Sequence, residues 1–431
     1  MLLATGGPEW LVVNDTGLAI ARQLAAGGPA EQVAAGLAQQ YGLALEMALA
    51  DVRLVAERLA GHGLLAAGPG RPGRRTPRLG SAFLHLTDCC NLACRHCYIA
   101  RPAAERRQLP GAAVLGVLDA LAAAGASGVV LSGGEPLLHP DIIPILRHAA
   151  ARLKVQVLTN GTLIDAPRAE LLVSLKAGVQ VSLDGSRPAI HDANRGPGSL
   201  ERALAGIDAL AAAGMAKDDL VVAATVTRDN LADIPAVVEL AVAHGAGRVR
   251  LLPVRPSGRA RERWPALGEI AAAEYEALFR TMAAWAHAHP GQVELSYGLS
   301  GFLLDPAGIP DPDGLWCPVG RKVVVDTDGD AYPCVLLMQP RFRLGNIFQQ
   351  TLAEMMASET MAGLCHALGQ RQRTIARCQD CRWQNLCQAG CMGQAFEQTG
   401  TLWDTDRHCG FRQRAFEEAF SRLCREDAPG V

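Results

Sequence analysis

The chain has 431 residues, 49% hydrophobic and 5% aromatic, with 41 Lys and Arg against 43 Asp and Glu. That length suggests roughly two to four domains and a sizeable core. The near balance of charge excludes the electrostatic footprint of a nucleic-acid or anionic-membrane partner. No apolar stretch reaches a bilayer span, and the N-terminus lacks an export signal, so the expectation is a cytoplasmic protein.

Residues 1–66 form a small cysteine-free unit. Glu9 to Asn14 has strand character, and Asn14, Asp15, Thr16 and Gly17 offer turn and cap chemistry. Helices are predicted near 17–26 and 29–41, and a third from Leu45 to about Leu59, where Leu45, Leu49, Val52 and Val55 recur at helical spacing. Residues 67–80, rich in Gly, Pro and Arg, read as a linker. From 81 to 300 strands and helices alternate. Strands are predicted at 82–87, 127–131, 154–159, 178–183, 220–227 and 247–252. Helices fall at 110–124, 140–152, 165–175, 199–213 and 231–244, then 268–288. Such βα units imply a parallel sheet and a partial (β/α)6 TIM-like barrel, with chemistry at the C-terminal strand ends. Residues 310–425 read as irregular and cysteine-rich, with a hairpin from Val323 to Pro333 turning at Asp328 and Gly329.

The 13 cysteines are absent before Cys89, crowd between 89 and 97, and return from Cys317. In a reducing compartment such clusters read as metal ligands. Cys90, Cys94 and Cys97 follow the first barrel strand. Three thiolates on one loop can hold three irons of a cubane cluster and leave the fourth open. A zinc site, with His96 or Cys89 as fourth ligand, is the plainer alternative.

This CxxxCxxC spacing resembles the radical S-adenosylmethionine superfamily. The resemblance implies that the methionine end of S-adenosylmethionine chelates the open iron of a [4Fe–4S] cluster. One electron then releases a 5′-deoxyadenosyl radical that abstracts hydrogen. Tyr98 adjoins the motif. Gly133, Gly134, Glu135 and Pro136, after the second strand, resemble the family's motif for the methionine amino group. Asn160, Ser182 and Asp184 lie at the next strand ends, near the ribose and carboxylate by resemblance. Arg195 matches an arginine that pairs with that carboxylate. Leu252 opens a segment, 252–260, that forms an adenine-contacting wall in the family.

The later cysteines resemble the SPASM extension of radical enzymes that modify peptides, which carries two auxiliary iron–sulfur clusters, each expected to be [4Fe–4S]. By matching position Cys378, Cys381, Cys387 and Cys409 hold one, and Cys317, Cys334 and Cys391 belong to the other. Residues 318–328 lack a cysteine found there in some relatives. The inner cluster then has an open iron or takes Asp326, Asp328 or Cys365. Two structural zinc sites are the alternative. Val335 follows Cys334 where sulfatase-type maturases carry an aspartate.

In 1–66, residues 10–20 with Gly28, Tyr41, Asp51, Val52, Leu59 and 63–65 resemble a PqqD-like winged-helix domain. In that family the domain binds a precursor-peptide leader along a β-edge. The unit is not basic, which argues against DNA. Together the resemblances imply a radical peptide maturase that forms an oxidative cross-link. Its partners would be a precursor peptide and an external one-electron reductant such as flavodoxin or ferredoxin. A small-molecule or tetrapyrrole substrate, and a non-catalytic iron–sulfur or zinc module, are the competing readings. No catalytic base is assignable.

Overall fold

The computed structural model describes residues 2–3, 10–11, 13–61, 64, 77–99, 101–267, 270–296 and 317–426. Most of the linker stretch and all of 297–316 lie outside them. The chain divides into two compact units, Met1–Arg74 with Phe302–Trp316 and Ala367–Val431, and Arg75–Gly301 with Cys317–His366.

In the first unit, β1 (Leu2–Leu3) and β2 (Trp10–Leu11) pair antiparallel. The helices α1 (Asp15–Ala25), α2 (Ala30–Tyr41) and α3 (Leu45–Gly61) follow, close to their expected spans. Asn14 caps α1 by accepting the Gly17 N–H at 2.7 Å. Ile20, Val33, Ala34, Leu37, Ala48 and Val52 form one buried cluster among the three helices. Among the described residues the ladder pairs two residues of each strand.

In the second unit, β3 (Ser81–His85), β4 (Gly128–Ser132), β5 (Lys154–Thr159), β6 (Gly178–Ser182), β7 (Leu220–Val226) and β8 (Arg248–Pro253) run parallel in sequence order. The helices between them are α4 (Gly111–Ala123), α5 (Ile142–Ala150), α6 (Ala166–Ser174), α7 (Pro188–Arg195), α8 (Ser199–Ala212) and α9 (Ile234–Ala243). In β3, β4 and β5 fully buried residues alternate with partly exposed ones. The buried set, such as Ala82, Leu84, Val129, Leu131, Val155 and Val157, makes the core. The short α10 (Arg259–Glu262) and α11 (Trp264–Leu267) precede α12 (Ala272–Ala288).

Two features extend the expected six-strand row. β9 (Glu294–Ser296) adds beyond β8, and β10 (Lys322–Val325) pairs parallel with β3, Val324 opposite Phe83. The expected hairpin forms from β10 and β11 (Asp330–Tyr332), with Gly329 at φ +78° and β12 (Gly345–Asn346) outside it. Its first strand therefore belongs to the barrel sheet. α7 has no counterpart in the apolar pattern because the residues it buries are His191 and Arg195.

Residues 352–426 carry more regular helix than their cysteine spacing suggests. They form α13 (Leu352–Met356), α14 (Glu359–Thr374), α15 (Ala376–Gln379), α16 (Gln384–Cys387), α17 (Met392–Thr399) and α18 (Cys409–Glu426). Among the described residues no helix is long and apolar enough to cross a membrane.

Candidate active site

The three-cysteine loop leaves the C-terminal end of β3 and is clamped from four sides. Cys90 Sγ accepts the Leu92 N–H at 3.4 Å and lies 3.8 Å from Asn160 Nδ2. Asn160 also donates to Asn91 Oδ1 at 2.8 Å, while Asn91 donates to Thr162 Oγ1, tying the loop to the end of β5. Cys94 is buried, and its carbonyl accepts Arg259 Nε at 2.9 Å. The Cys97 carbonyl accepts the Arg259 N–H at 2.9 Å. A Cβ on Gly258, at φ +55°, would overlap the Cys97 carbonyl, so only glycine lets that turn come so close. The Arg95 N–H donates to the Asn194 carbonyl.

The paired glycines lie against the cysteine loop. Gly134 N–H donates to the Thr87 carbonyl and Glu135 N–H to the Cys89 carbonyl at 2.8 Å. A Cβ on either glycine would overlap those carbonyls. Pro136 is buried beside them. Glu135 is wholly buried. Its Oε1 accepts from Thr159 Oγ1 at 2.7 Å and Leu137 N at 3.2 Å, and its Oε2 from Asn160 N at 2.8 Å. Three of about four acceptor sites are thus spent inside the protein, and the carboxylate acts as a strut between β4 and β5. Burial, against those hydrogen bonds, pushes its pKa up to about 7.

Asp184 and Arg195 form a second buried strut. Arg195 Nε donates to Asp184 Oδ2 at 2.6 Å, Asn194 Nδ2 joins at 2.8 Å, and the Thr225 N–H donates to Oδ1 at 2.8 Å. Burial raises the Asp184 pKa, but Arg195, by charge and hydrogen bond, together with His96 and His191, outweighs it and holds it down at about 2. Arg195 Nη1 lies 3.8 Å from Cys94 Sγ. The arginine is therefore committed to Asp184 and to the cysteine loop. His96 lies against the same pair, Nδ1 beside Asn194 and Nε2 3.5 Å from Arg195, which leaves neither nitrogen for a metal. Cys89 is exposed.

Tyr98 shares a 3.4 Å contact with His85 Nε2, and the Arg255 guanidinium stands 5.6 Å from its ring centre. Burial pushes the Tyr98 hydroxyl up to about 12 and His85 down to about 4, so both are neutral near pH 7. Ser182 ends β6 and Leu252 lies in β8, both partly exposed and outside these hydrogen-bond networks.

In the same unit Cys317 and Cys334 are buried, and burial followed by the Cys317 charge pushes Cys334 to about 12. Two of the alternative ligands are occupied. Asp326 Oδ1 accepts the Asp328 and Asp330 N–H groups of the hairpin turn, and Asp328 pairs with Arg101 and Arg107. Cys365 is buried on α14.

In the other unit Cys378, Cys381, Cys387 and Cys409 line one cavity with Arg412 and Gln413. Arg412 is 3% exposed. Its Nε donates to Cys387 Sγ at 3.3 Å, and its Nη1 reaches both Asp406 oxygens at 2.8 and 3.0 Å. Gln413 donates to Cys381 Sγ at 3.4 Å. Residues 388–390 all have positive φ, and a Cβ on Gly390 would overlap Arg412. Asp406 also accepts the Cys391 N–H at 2.7 Å. Arg371, fully buried, donates to the carbonyls of Leu402, Gly390 and Asp404 and staples these loops.

These donor sets fit iron–sulfur clusters. Burial pushes Cys94 to about 11 and Cys378 to about 12, thiols that ionise only when a metal takes the sulfur. Arg412 Nη2 is buried with no hydrogen-bond partner among the described residues, a donor suited to a cluster sulfide. Among the described residues no three His, Cys, Asp or Glu side chains close on a single metal ion. A cubane takes one thiolate per iron and spreads its ligands wider.

Sequence reasoning found the cysteines by spacing. It missed Asn91, Asn194, Gly258, Arg259, Arg371 and Arg412, a glycine and polar side chains that no apolar periodicity marks.

The parallel sheet with three thiols on the loop after its first barrel strand defines a radical S-adenosylmethionine enzyme. Family models match residues 84–241 (radical SAM superfamily), 317–382 (SPASM, an iron-sulfur cluster-binding domain) and 1–65 (coenzyme PQQ synthesis protein D). The mycofactocin maturase MftC of Mycobacterium ulcerans is 33% identical over 77% of this chain and 91% of its own length. The AdoMet-dependent heme synthase of Methanosarcina barkeri is 31% identical over 76% and 95%. Streptococcus suis SuiB bound to precursor peptide SuiA superposes with a TM-score of 0.64 at 16% identity, covering 84% of this chain and 80% of SuiB. The anSMEcpe enzyme with bound AdoMet gives 0.63 at 20% identity, covering 80% and 98%. The chain belongs to the radical SAM superfamily, in the branch that carries a SPASM domain. Those domains imply a [4Fe–4S] cluster, S-adenosylmethionine and auxiliary iron–sulfur clusters.

Proposed function

We propose that this enzyme matures a ribosomally made precursor peptide. Residues 1–66 bind the leader, 67–80 are the linker, 81–300 carry the radical chemistry, and 310–425 hold the auxiliary clusters. The observation that carries the reading is the PqqD match at 1–65 in a chain that also carries SPASM. The MftC relatives support it.

Cys90, Cys94 and Cys97 would ligate the first cluster, with Asn160 and Arg195 next to their sulfurs. When bound and reduced, that cluster and S-adenosylmethionine supply a 5′-deoxyadenosyl radical. Gly133, Gly134 and Glu135 hold the loop in place, and the backbone at that rim faces the methionine end. Ser182 and Leu252, free of the internal networks, contact the ribose and adenine. Cys378, Cys381, Cys387 and Cys409 hold one auxiliary cluster, and Cys317, Cys334 and Cys391 belong to the other. An external one-electron reductant, flavodoxin or ferredoxin, serves the cytoplasmic enzyme, and the net product is oxidised.

The heme synthase relatives favour a second reading, a tetrapyrrole substrate. Incubation of the reduced holoenzyme with S-adenosylmethionine and a synthetic precursor from a neighbouring short reading frame decides between them. The peptide reading requires a mass loss in the core residues. An unchanged peptide, with a tetrapyrrole consumed instead, contradicts it.

A further inference from the structure

The chain has only four lysines, Lys154, Lys176, Lys217 and Lys322. The first three are exposed; Lys322, at the start of β10, is partly buried. It lies opposite Ser81 of β3, so its side chain leaves the sheet on the same face as Ser81, Phe83 and His85. Arg250, on β8, is partly buried too. Its charge acts on Lys322. The two strands stand six places apart in the sheet, roughly 29 Å if it were flat. The ladder registers from β10 round to β8 put Lys322, Gln180 and Arg250 on one face of that sheet, the face a barrel curl encloses.

Among the described residues neither cation is paired with a carboxylate. The groups acting on Arg250 are burial and then Arg248; those on Lys322 are burial, then Arg250, with Cys334 opposing. Arg248 shows the contrast, since it pairs with Glu294 at 2.7 Å. Arg250 instead donates from Nη1 to Gln180 Oε1 at 3.0 Å, and Gln180 is 5% exposed. With its oxygen turned to Arg250, the Gln180 amide keeps its two N–H donors to offer. Guanidinium, ammonium and amide on this one face all offer N–H donors. Two withdrawn cations with no carboxylate among the described residues carry a desolvation cost that a bound anion would offset.

We propose that Arg250, Lys322 and Gln180 form a receptor for a carboxylate of the substrate inside the barrel. The planar fork of Arg250 suits a carboxylate edge, and Lys322 adds a point charge. This rests on reading the enclosed face as the substrate chamber. The receptor fixes which end of the substrate lies away from the cysteine loop, because Lys322 begins β10 whereas the loop leaves the end of β3.

The four lysines make the test direct. The anaerobic holoenzyme is treated with pyridoxal 5′-phosphate and borohydride, and each lysine is quantified by peptide mapping. Millimolar succinate should slow labelling of Lys322 about tenfold, the scale of one charge-assisted hydrogen bond. Neutral succinamide should leave it unchanged, and the three exposed lysines should respond to neither. R250Q, checked for unaltered iron content, should abolish the protection. Equal protection by both compounds, no protection, or full protection in R250Q would overturn the receptor. If the precursor is still modified in that case, the peptide reading stands. If succinate protects but no peptide is modified, the receptor stands and the peptide reading falls.

Discussion

Arg195 shows how much one buried charge can organise. It neutralises Asp184 and sits beside Cys94, so R195Q strands a buried carboxylate and should destabilise this unit by about 3–5 kcal/mol. Denaturant unfolding of the anaerobic protein measures that cost. G134A puts a methyl group into the Cys89 carbonyl and should cut iron retained by the first cluster, read by iron analysis in a protein lacking the auxiliary cysteines. R412M removes a charged N–H donor from Cys387. Such donors stabilise the reduced, more negative cluster, so its midpoint potential should fall in a potentiometric EPR titration. At this scale the cysteines were legible because thiolate spacing is local in sequence. Their clamps were not: Asn91 meets Thr162, and Arg259 meets Cys94, across separations that one sequence does not encode visibly. Glu135 and Arg195 were found, but their partners inside the protein were not.

The alternation of apolar, β-branched runs with amphipathic helices places β3 to β8 within a residue or two of their expected bounds, because the buried face of each strand recurs at every second residue. α7 escaped because it buries a histidine and an arginine. β10 was seen as a hairpin strand, but its parallel pairing with β3 was invisible, since hydrogen bonding across the other edge leaves no local mark. The N-terminal helices depend on Leu37, which is 3% exposed in their shared cluster. L37A should cost about 2–5 kcal/mol there. Hydrogen exchange should quicken across 13–61 and stay unchanged across β3 to β8. Uniform quickening would contradict that independence.

Across the whole molecule, three cysteine groups divide the work. Replacing Cys90, Cys94 and Cys97 with alanine should remove roughly four irons per chain and leave the auxiliary iron in place. That the first group supplies three thiols and no fourth is the centre of the account: Cys89 is exposed and His96 is engaged with Asn194 and Arg195. Mössbauer spectroscopy of the reconstituted protein, with the auxiliary cysteines replaced, tests this most directly. Adding S-adenosylmethionine should shift the signal of a single iron of the remaining cluster toward higher coordination. Four irons that keep identical parameters with and without it would contradict the account.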